Sequence, residues 1–216
     1  MAKPPFTWSY SKLSLYEQCP AKYKYRYLDK ITTPKGAAAS RGTMIHEGVE
    51  NYLHGRAETV PVEAVNFWEI IKEVKSHRPK IEHKVAFDHS WKSVGWEDGW
   101  GRSVLDAAYC KKNHAHIQEW KSGKIYDDHA DQRRLYATLG FVVWPEAEKV
   151  TIHTYYFDQG VKKGLTIEPE HVEDIVADFS RRAYFMEIDE EFAPRPSWSC
   201  NYCDYSRVKG GKCRKG

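Results

Sequence analysis

Two acids and a lysine flank a short polar turn in Arg102-Ser-Val-Leu-Asp-Ala-Ala-Tyr-Cys-Lys-Lys-Asn-His-Ala-His-Ile-Gln-Glu-Trp-Lys121. The segment reads as two strands joined at Lys112-Asn113. A two-residue turn there makes the numbers of paired residues sum to 225, which sets Asp106 opposite Glu119. Lys121, two residues on, shares their face, and Val104, Ala108, Cys110, Ala115 and Ile117 make up the rest of it. Two carboxylates facing each other on an apolar surface repel and are poorly solvated, so the pair needs a cation. Oxygen donors favour Mg²⁺ or Mn²⁺, which would polarise a phosphate and activate water, with Lys121 orienting that water or offsetting charge in the transition state. The blander alternative is a surface Glu119–Lys121 pair with Asp106 serving as a cap. His114 and His116 fall on the opposite face and read as structural.

A second group is Cys200-Asn-Tyr-Cys203 with Cys213, and Cys19 at the far end of the chain. Four thiolates suit tetrahedral zinc; a redox pair or incidental cysteines are the alternatives. Cys110 reads as a small buried residue. Near the start, Lys22, Lys24, Arg26 and Lys30 alternate with Tyr23, Tyr25 and Tyr27, and the tail adds Lys209, Lys212, Arg214 and Lys215. Cations interleaved with rings suit phosphate neutralisation and base stacking; a solvated helix face with its tyrosines packed inward explains the same pattern.

The elements that must position these groups follow from periodicity and caps. Helices are predicted from near Ser11 to Pro20 with Ser9 or Ser11 capping, from Ala37 to His54 with Gly55 as the stop, and from Val62 to Lys75. Strand signals cluster between Ile81 and Gly123. Helices over Asp128–Val143 and Glu170–Phe185 flank a strand at Val150–Phe157, and an irregular tail closes the chain. The fold class is therefore α/β (α+β), a mixed β-sheet flanked by helices. The 216 residues hold 33 Lys and Arg against 30 Asp and Glu, with 41% hydrophobic residues, which suits one soluble domain over 1–216. No apolar run approaches the ~20 residues that span a bilayer, so no membrane is expected. The opening Met1-Ala-Lys-Pro-Pro-Phe-Thr has no signal-peptide core, which points to the cytoplasm and to reduced cysteines. No P-loop or dinucleotide fingerprint occurs, and His46-Glu-Gly-Val-Glu50 lacks the second histidine of a zinc-protease motif.

Gly101-Arg-Ser-Val-Leu-Asp106 followed by Gln118-Glu-Trp-Lys121 resembles the divided motif of the PD-(D/E)XK nuclease superfamily. Ser9-Tyr-Ser-Lys-Leu-Ser-Leu-Tyr-Glu-Gln-Cys-Pro20, Gly42-Thr-Met-Ile-His46 and Gln132-Arg-Arg-Leu-Tyr136 resemble further motifs of its RecB-like branch, in the order found there. The resemblance implies a restriction-endonuclease-like core. Asp106, Glu119 and Lys121 would be catalytic, and His46, Asp106, Glu119 and Glu82 would be metal ligands. Gln132 and Tyr136, with Lys22, Lys24 and Arg26, would face DNA, although support of Lys121 by Gln132 and core packing of Tyr136 are alternatives. The cysteine pattern is similar to that of the iron–sulfur members, which include CRISPR-associated RecB-like adaptation nucleases and AddB-type nuclease domains. It implies a 4Fe–4S cluster on Cys19, Cys200, Cys203 and Cys213, joining 1–30 to 195–216, although the Cys203–Cys213 gap is longer than is common there. The implied activity is metal-dependent DNA hydrolysis, as an exonuclease on single strands or free ends in recombination or repair, with a helicase or recombination partner for unwinding. The alternative is a non-cleaving DNA-binding or assembly module of a larger complex.

Overall fold

The computed structural model describes residues 6–34, 36–213 and 215; residues 1–5, Lys35, Arg214 and Gly216 lie outside them. The chain folds as two compact units, residues 36–179 and residues 1–35 with 180–216.

The first of these units is built on a five-stranded sheet in the order β1-β2-β3-β4-β5. The strands are β1 (Lys80–Phe87), β2 (Gly101–Lys111), β3 (His114–Lys121), β4 (Lys149–Tyr156) and β5 (Val161–Ile167). β3 pairs with β4 in parallel and all other neighbours are antiparallel, so the sheet is mixed. The β2–β3 register runs from Lys111↔His114 to Ala107↔Gln118, the predicted sum of 225 throughout. Lys112 and Asn113 both take positive φ (49° and 58°), the conformation of the two-residue turn whose twist matches that of the strands. β3 is the middle strand of five, with a hydrogen-bonded neighbour along each edge, and its Glu119 is only 5% exposed.

Helix α5 (Asp128–Val143), the crossover between the parallel strands, lies within one residue of its expected bounds. Gly140 lets it approach β4 closely: a Cβ there would stand 2.5 Å from Val150 Cγ1. Helix α3 (Ala37–Leu53) and the segment 62–76 bury Ile45, Val49, Phe67, Ile71 and Val74 against Trp120, Tyr155 and Phe157. That segment starts as a tight 3₁₀ stretch, Val62–Phe67, before becoming helix α4 (Trp68–Ser76). β5 is an addition to the predicted elements. Val161, Lys162, Lys163 and Gly164 are all exposed, so this edge strand lacks the alternation by which strands are read.

In the other unit, Ser9 caps α1 (Tyr10–Gln18), and Pro20 does more than end it. It opens a new helix, α2 (Pro20–Tyr23), at the first position, where its missing N–H costs nothing, and the chain continues as a π-helical turn over Lys24–Leu28. Helix α6 (Val172–Ile188) enters this unit at Ser180. Its Arg182 forms a two-pronged ion pair with Glu17, at 2.7 Å on both arms. Tyr16 Oη donates to Asp189 Oδ2 at 2.8 Å, and Tyr205 Oη donates to the Ile31 carbonyl at 3.1 Å. Arg195 donates from its side chain to the Glu17 carbonyl and from its backbone N–H to Cys19 Sγ. The two chain ends are thereby stitched into one unit.

Candidate active site

The β2–β3 ladder stops at Ala107↔Gln118, and the next pair in register is Asp106 and Glu119. There the Asp106 side chain takes over from the backbone: its Oδ2 accepts the Trp120 N–H at 2.8 Å. Glu119 Oε1 receives Lys121 Nζ at 2.6 Å and Gln132 Nε2 at 3.2 Å, the latter reaching from α5. Glu119 Oε2 is buried without a hydrogen-bond partner. From α3, His46 Nδ1 comes to 3.6 Å from Asp106 Oδ2. An open cleft bounded by Thr43, His46, Glu47 and Glu50 of α3 leads to Asp106 and to Glu82 of β1. Glu82 stands between the Ile81↔Ala107 and His83↔Leu105 pairs, opposite Asp106, with a left-handed backbone (φ 47°). A non-glycine residue in that region is strained, as is common where a strand is bent for function.

These carboxyls change one another's acidity. Burial, then the facing Glu119 and Glu82, push Asp106 well above the usual carboxylate range, against the pull of the Trp120 N–H and Lys121. Burial and the charges of Glu50 and Glu119 also raise Glu82. Burial works to lower Lys121, but Glu119 at 2.6 Å and Asp106 outweigh it, so the ammonium ends above its ordinary value and stays charged at neutral pH. Burial lowers His46, with Lys121 acting in the same sense and Glu119 against it. Its imidazole is thereby kept neutral, the form that ligates metals.

Of the four expected metal ligands, Asp106 and Glu119 occupy facing positions, His46 touches Asp106, and Glu82 borders the same cleft. Among the described residues, however, no three His, Cys, Asp or Glu side chains stand close enough together to hold an ion. Lys121 and Gln132 take one oxygen of Glu119, leaving only the other open. The donor set still fits a hard divalent cation. It offers a buried carboxylate oxygen with no partner, a second carboxyl forced upward in pKa by burial and then by its acidic neighbours, and a neutral imidazole.

Gln132 is thus turned to Glu119, and Tyr136, one turn on along α5, is buried. In the basic, tyrosine-rich start, Tyr23 packs inward while Arg26 is exposed. Tyr23 is buried and stacks on Phe192, Lys24 sits 5.9 Å over the same ring, Lys22 donates to Gln18, and Arg26 lies over Tyr27. Cys19, Cys200, Cys203 and Cys213 all line one cavity, as free, partly buried thiols. They too fall outside ligating distance as a set. Sequence reasoning gave no place to Trp198 and Tyr202, which are 78% and 74% exposed in the tail; Trp198 two residues before Cys200 and Tyr202 next to Cys203 were the available signal.

The model of the PD-(D/E)XK nuclease superfamily matches residues 7–123, more than half of the chain and including Asp106, Glu119 and Lys121. No curated protein matches. Among solved structures, the protein SSO0001 aligns over 100% of this chain and 89% of its own, with 19% identity and a TM-score of 0.54. A candidate exonuclease from Eubacterium rectale aligns over 94% of this chain and 88% of its own, with 10% identity and a TM-score of 0.53. At those identities the likeness speaks to fold alone. No described helix is long and apolar enough to cross a membrane. With its mixed five-stranded sheet, its flanking helices and the family match, the chain belongs to the PD-(D/E)XK nuclease superfamily.

Proposed function

We propose that the chain is a metal-dependent deoxyribonuclease of the RecB-like type, an exonuclease on single-stranded DNA or DNA ends that serves recombination or repair. The observation that carries this reading is the buried pair of facing carboxyls, Asp106 and Glu119, with the charged Lys121 at 2.6 Å from one of them. In this reading Asp106, Glu119 and His46, with Glu82 at the rim, hold Mg²⁺ or Mn²⁺. When bound, such a cation supplies Lewis-acid polarisation of the phosphate and lowers the pKa of water. Lys121 keeps its proton and orients the attacking water or offsets the charge that builds on the phosphoryl oxygens. Gln132 fixes the Glu119 carboxylate, and the Trp120 N–H fixes Asp106, so both acids are held before substrate arrives. The shared cavity of Cys19, Cys200, Cys203 and Cys213 supports a 4Fe–4S cluster in the second unit, with structural zinc as the alternative occupant.

Cleavage of end-labelled single- and double-stranded DNA in Mg²⁺ or Mn²⁺, set against chelator, tests the activity. Metal-dependent product ladders support the exonuclease reading. A folded protein that binds DNA and leaves it intact would point instead to a non-cleaving assembly module. Iron, sulfide and zinc quantified on anaerobically purified protein decide the cysteine ligand.

A further inference from the structure

The chain's net charge of +3 conceals a division between its two units. Residues 1–35 and 180–216 carry 15 Lys and Arg against 7 Asp and Glu, a net +8, whereas residues 36–179 carry 18 against 23, a net −5. The segment 192–216 alone has six cations and a single acid, Asp204, which pairs with Lys209 at 3.4 Å. On this cationic stretch stand two of the most exposed aromatic rings in the described chain, Trp198 at 78% and Tyr202 at 74%, with Val208 at 84% nearby in sequence.

Large aromatic rings bury about 150–250 Å² each in a folded core, so a Trp and a Tyr left about three-quarters exposed on one short turn stand out. Here the local structure holds both out. Ser197 caps the 3₁₀ turn Trp198–Tyr202, its Oγ accepting the Ser199 N–H, and the Cys203 N–H closes the turn on the Cys200 carbonyl at 3.1 Å. Within that turn Cys200 is directed to the cysteine-lined cavity, while the rings on either side of it face solvent. The rings lie 6.2 Å apart, inclined at 74°, so they are not stacked face to face, and both keep most of their area open to solvent. Lys209 Nζ donates to the Tyr202 carbonyl at 3.2 Å, which holds a cation at the backbone of the second aromatic residue. Exposed Arg207 and Lys212 lie on the same segment.

We infer that Trp198 and Tyr202 form a base-stacking platform for single-stranded DNA, with Arg207, Lys209 and Lys212 neutralising its phosphates. Open π-faces among cations match a ligand that offers unstacked bases on a polyanionic backbone. Duplex DNA offers the charge but hides the faces. An apolar protein partner would match the rings and leave the cations unmatched. The inference rests on the nuclease reading and narrows it, naming unpaired strands as the substrate form and locating part of their binding outside the carboxylate site.

The test measures binding in chelator, so that no cleavage intervenes, by fluorescence anisotropy with labelled oligothymidylate, an abasic strand of equal charge, and a duplex. The wild type binds oligothymidylate more tightly than the abasic strand. Trp198→Ala and Tyr202→Ala each weaken oligothymidylate binding about tenfold, the loss of one stacked base. Abasic and duplex affinities stay unchanged, and Trp198→Phe retains most of the binding. Both side chains are exposed, so the alanine variants keep their fold, and circular dichroism checks this. Unchanged oligothymidylate affinity in both alanine variants overturns the proposal, as does equal wild-type affinity for the abasic strand. Loss of self-association on sedimentation, with DNA binding unchanged, also overturns it and assigns the patch to a second copy of the chain. Cleavage in Mg²⁺ is scored separately. A wild type that stacks bases but cuts nothing keeps the platform and removes the nuclease reading; one that cuts while the alanine variants bind normally does the reverse.

Discussion

Replacing Lys121 with methionine isolates what the buried ion pair contributes. Lys121 Nζ lies 2.6 Å from Glu119 Oε1, and the glutamate side chain is only 6% exposed, so removing the ammonium strands a carboxylate with little water to solvate it. Gln132 remains as a donor, but one neutral N–H does not replace a cation. Breaking a buried pair by deleting one partner costs about 3–5 kcal/mol, and the low end applies here because Lys121 itself keeps 21% exposure. For a chain of this size about 3 kcal/mol corresponds to a fall in Tm of roughly 6–12 °C. The reverse change, Glu119→Gln, costs less, about 1–2 kcal/mol, since the ammonium retains Asp106 and partial hydration. The double variant removes both charges and recovers most of the loss, giving a coupling of about 2 kcal/mol. Urea denaturation in chelator across the four proteins measures this. Adding Mn²⁺ raises the Tm of Lys121→Met more than that of Glu119→Gln, because only the former keeps the full carboxylate pair for the cation. If Lys121→Met loses less than about 0.5 kcal/mol in chelator, the pair is not the buried, charged contact described here.

Three further outcomes follow from other parts of the molecule. Gly140→Ala forces a methyl group onto Val150, and denaturant unfolding registers a loss of about 1–3 kcal/mol while DNA affinity is unaffected. His116 is lowered to about 4 by burial first, then by His114, His153, His77 and Lys111. The unfolded chain therefore takes up this proton first, and stability falls as pH drops from about 6.5 to 4. After discounting for its partial exposure the loss is about 1–2 kcal/mol, which His116→Asn removes from the pH–stability curve. If the proposed cysteine centre is loaded, Cys203→Ser lowers its occupancy below one cluster (four irons), or below one zinc, per chain and reduces the Tm, with the cleft around Asp106 left intact as judged by Mn²⁺ affinity.

How far the sequence could be read depended on whether each feature was encoded locally. The Lys112-Asn113 turn fixes the hairpin register, and that one inference places Asp106 opposite Glu119 and Lys121 beside it. α5 was readable from its own periodicity and β3 from its charged face. β5 was not, because an exposed edge strand has no apolar face to give it a pattern. Spacing left Gln132 as either a DNA contact or a support for Lys121; the structure has it bond Glu119, a partner set by the angle at which α5 crosses β3, which is a tertiary property that spacing does not encode. The alternating Lys and Tyr residues near the start admitted two readings, and burial of Tyr23 favours inward packing. The exposure of Trp198 and Tyr202 is set by a turn that hydrogen bonds define, within a tail that reads as irregular.

The most direct test of the central claim is cleavage of end-labelled single-stranded DNA in Mn²⁺ by the wild type and by Asp106→Asn, a substitution that removes one facing charge and preserves volume. The account predicts metal-dependent degradation by the wild type, and a loss of at least about a hundredfold in a variant as stable as its parent or more so. Equal cleavage by the two proteins would contradict it.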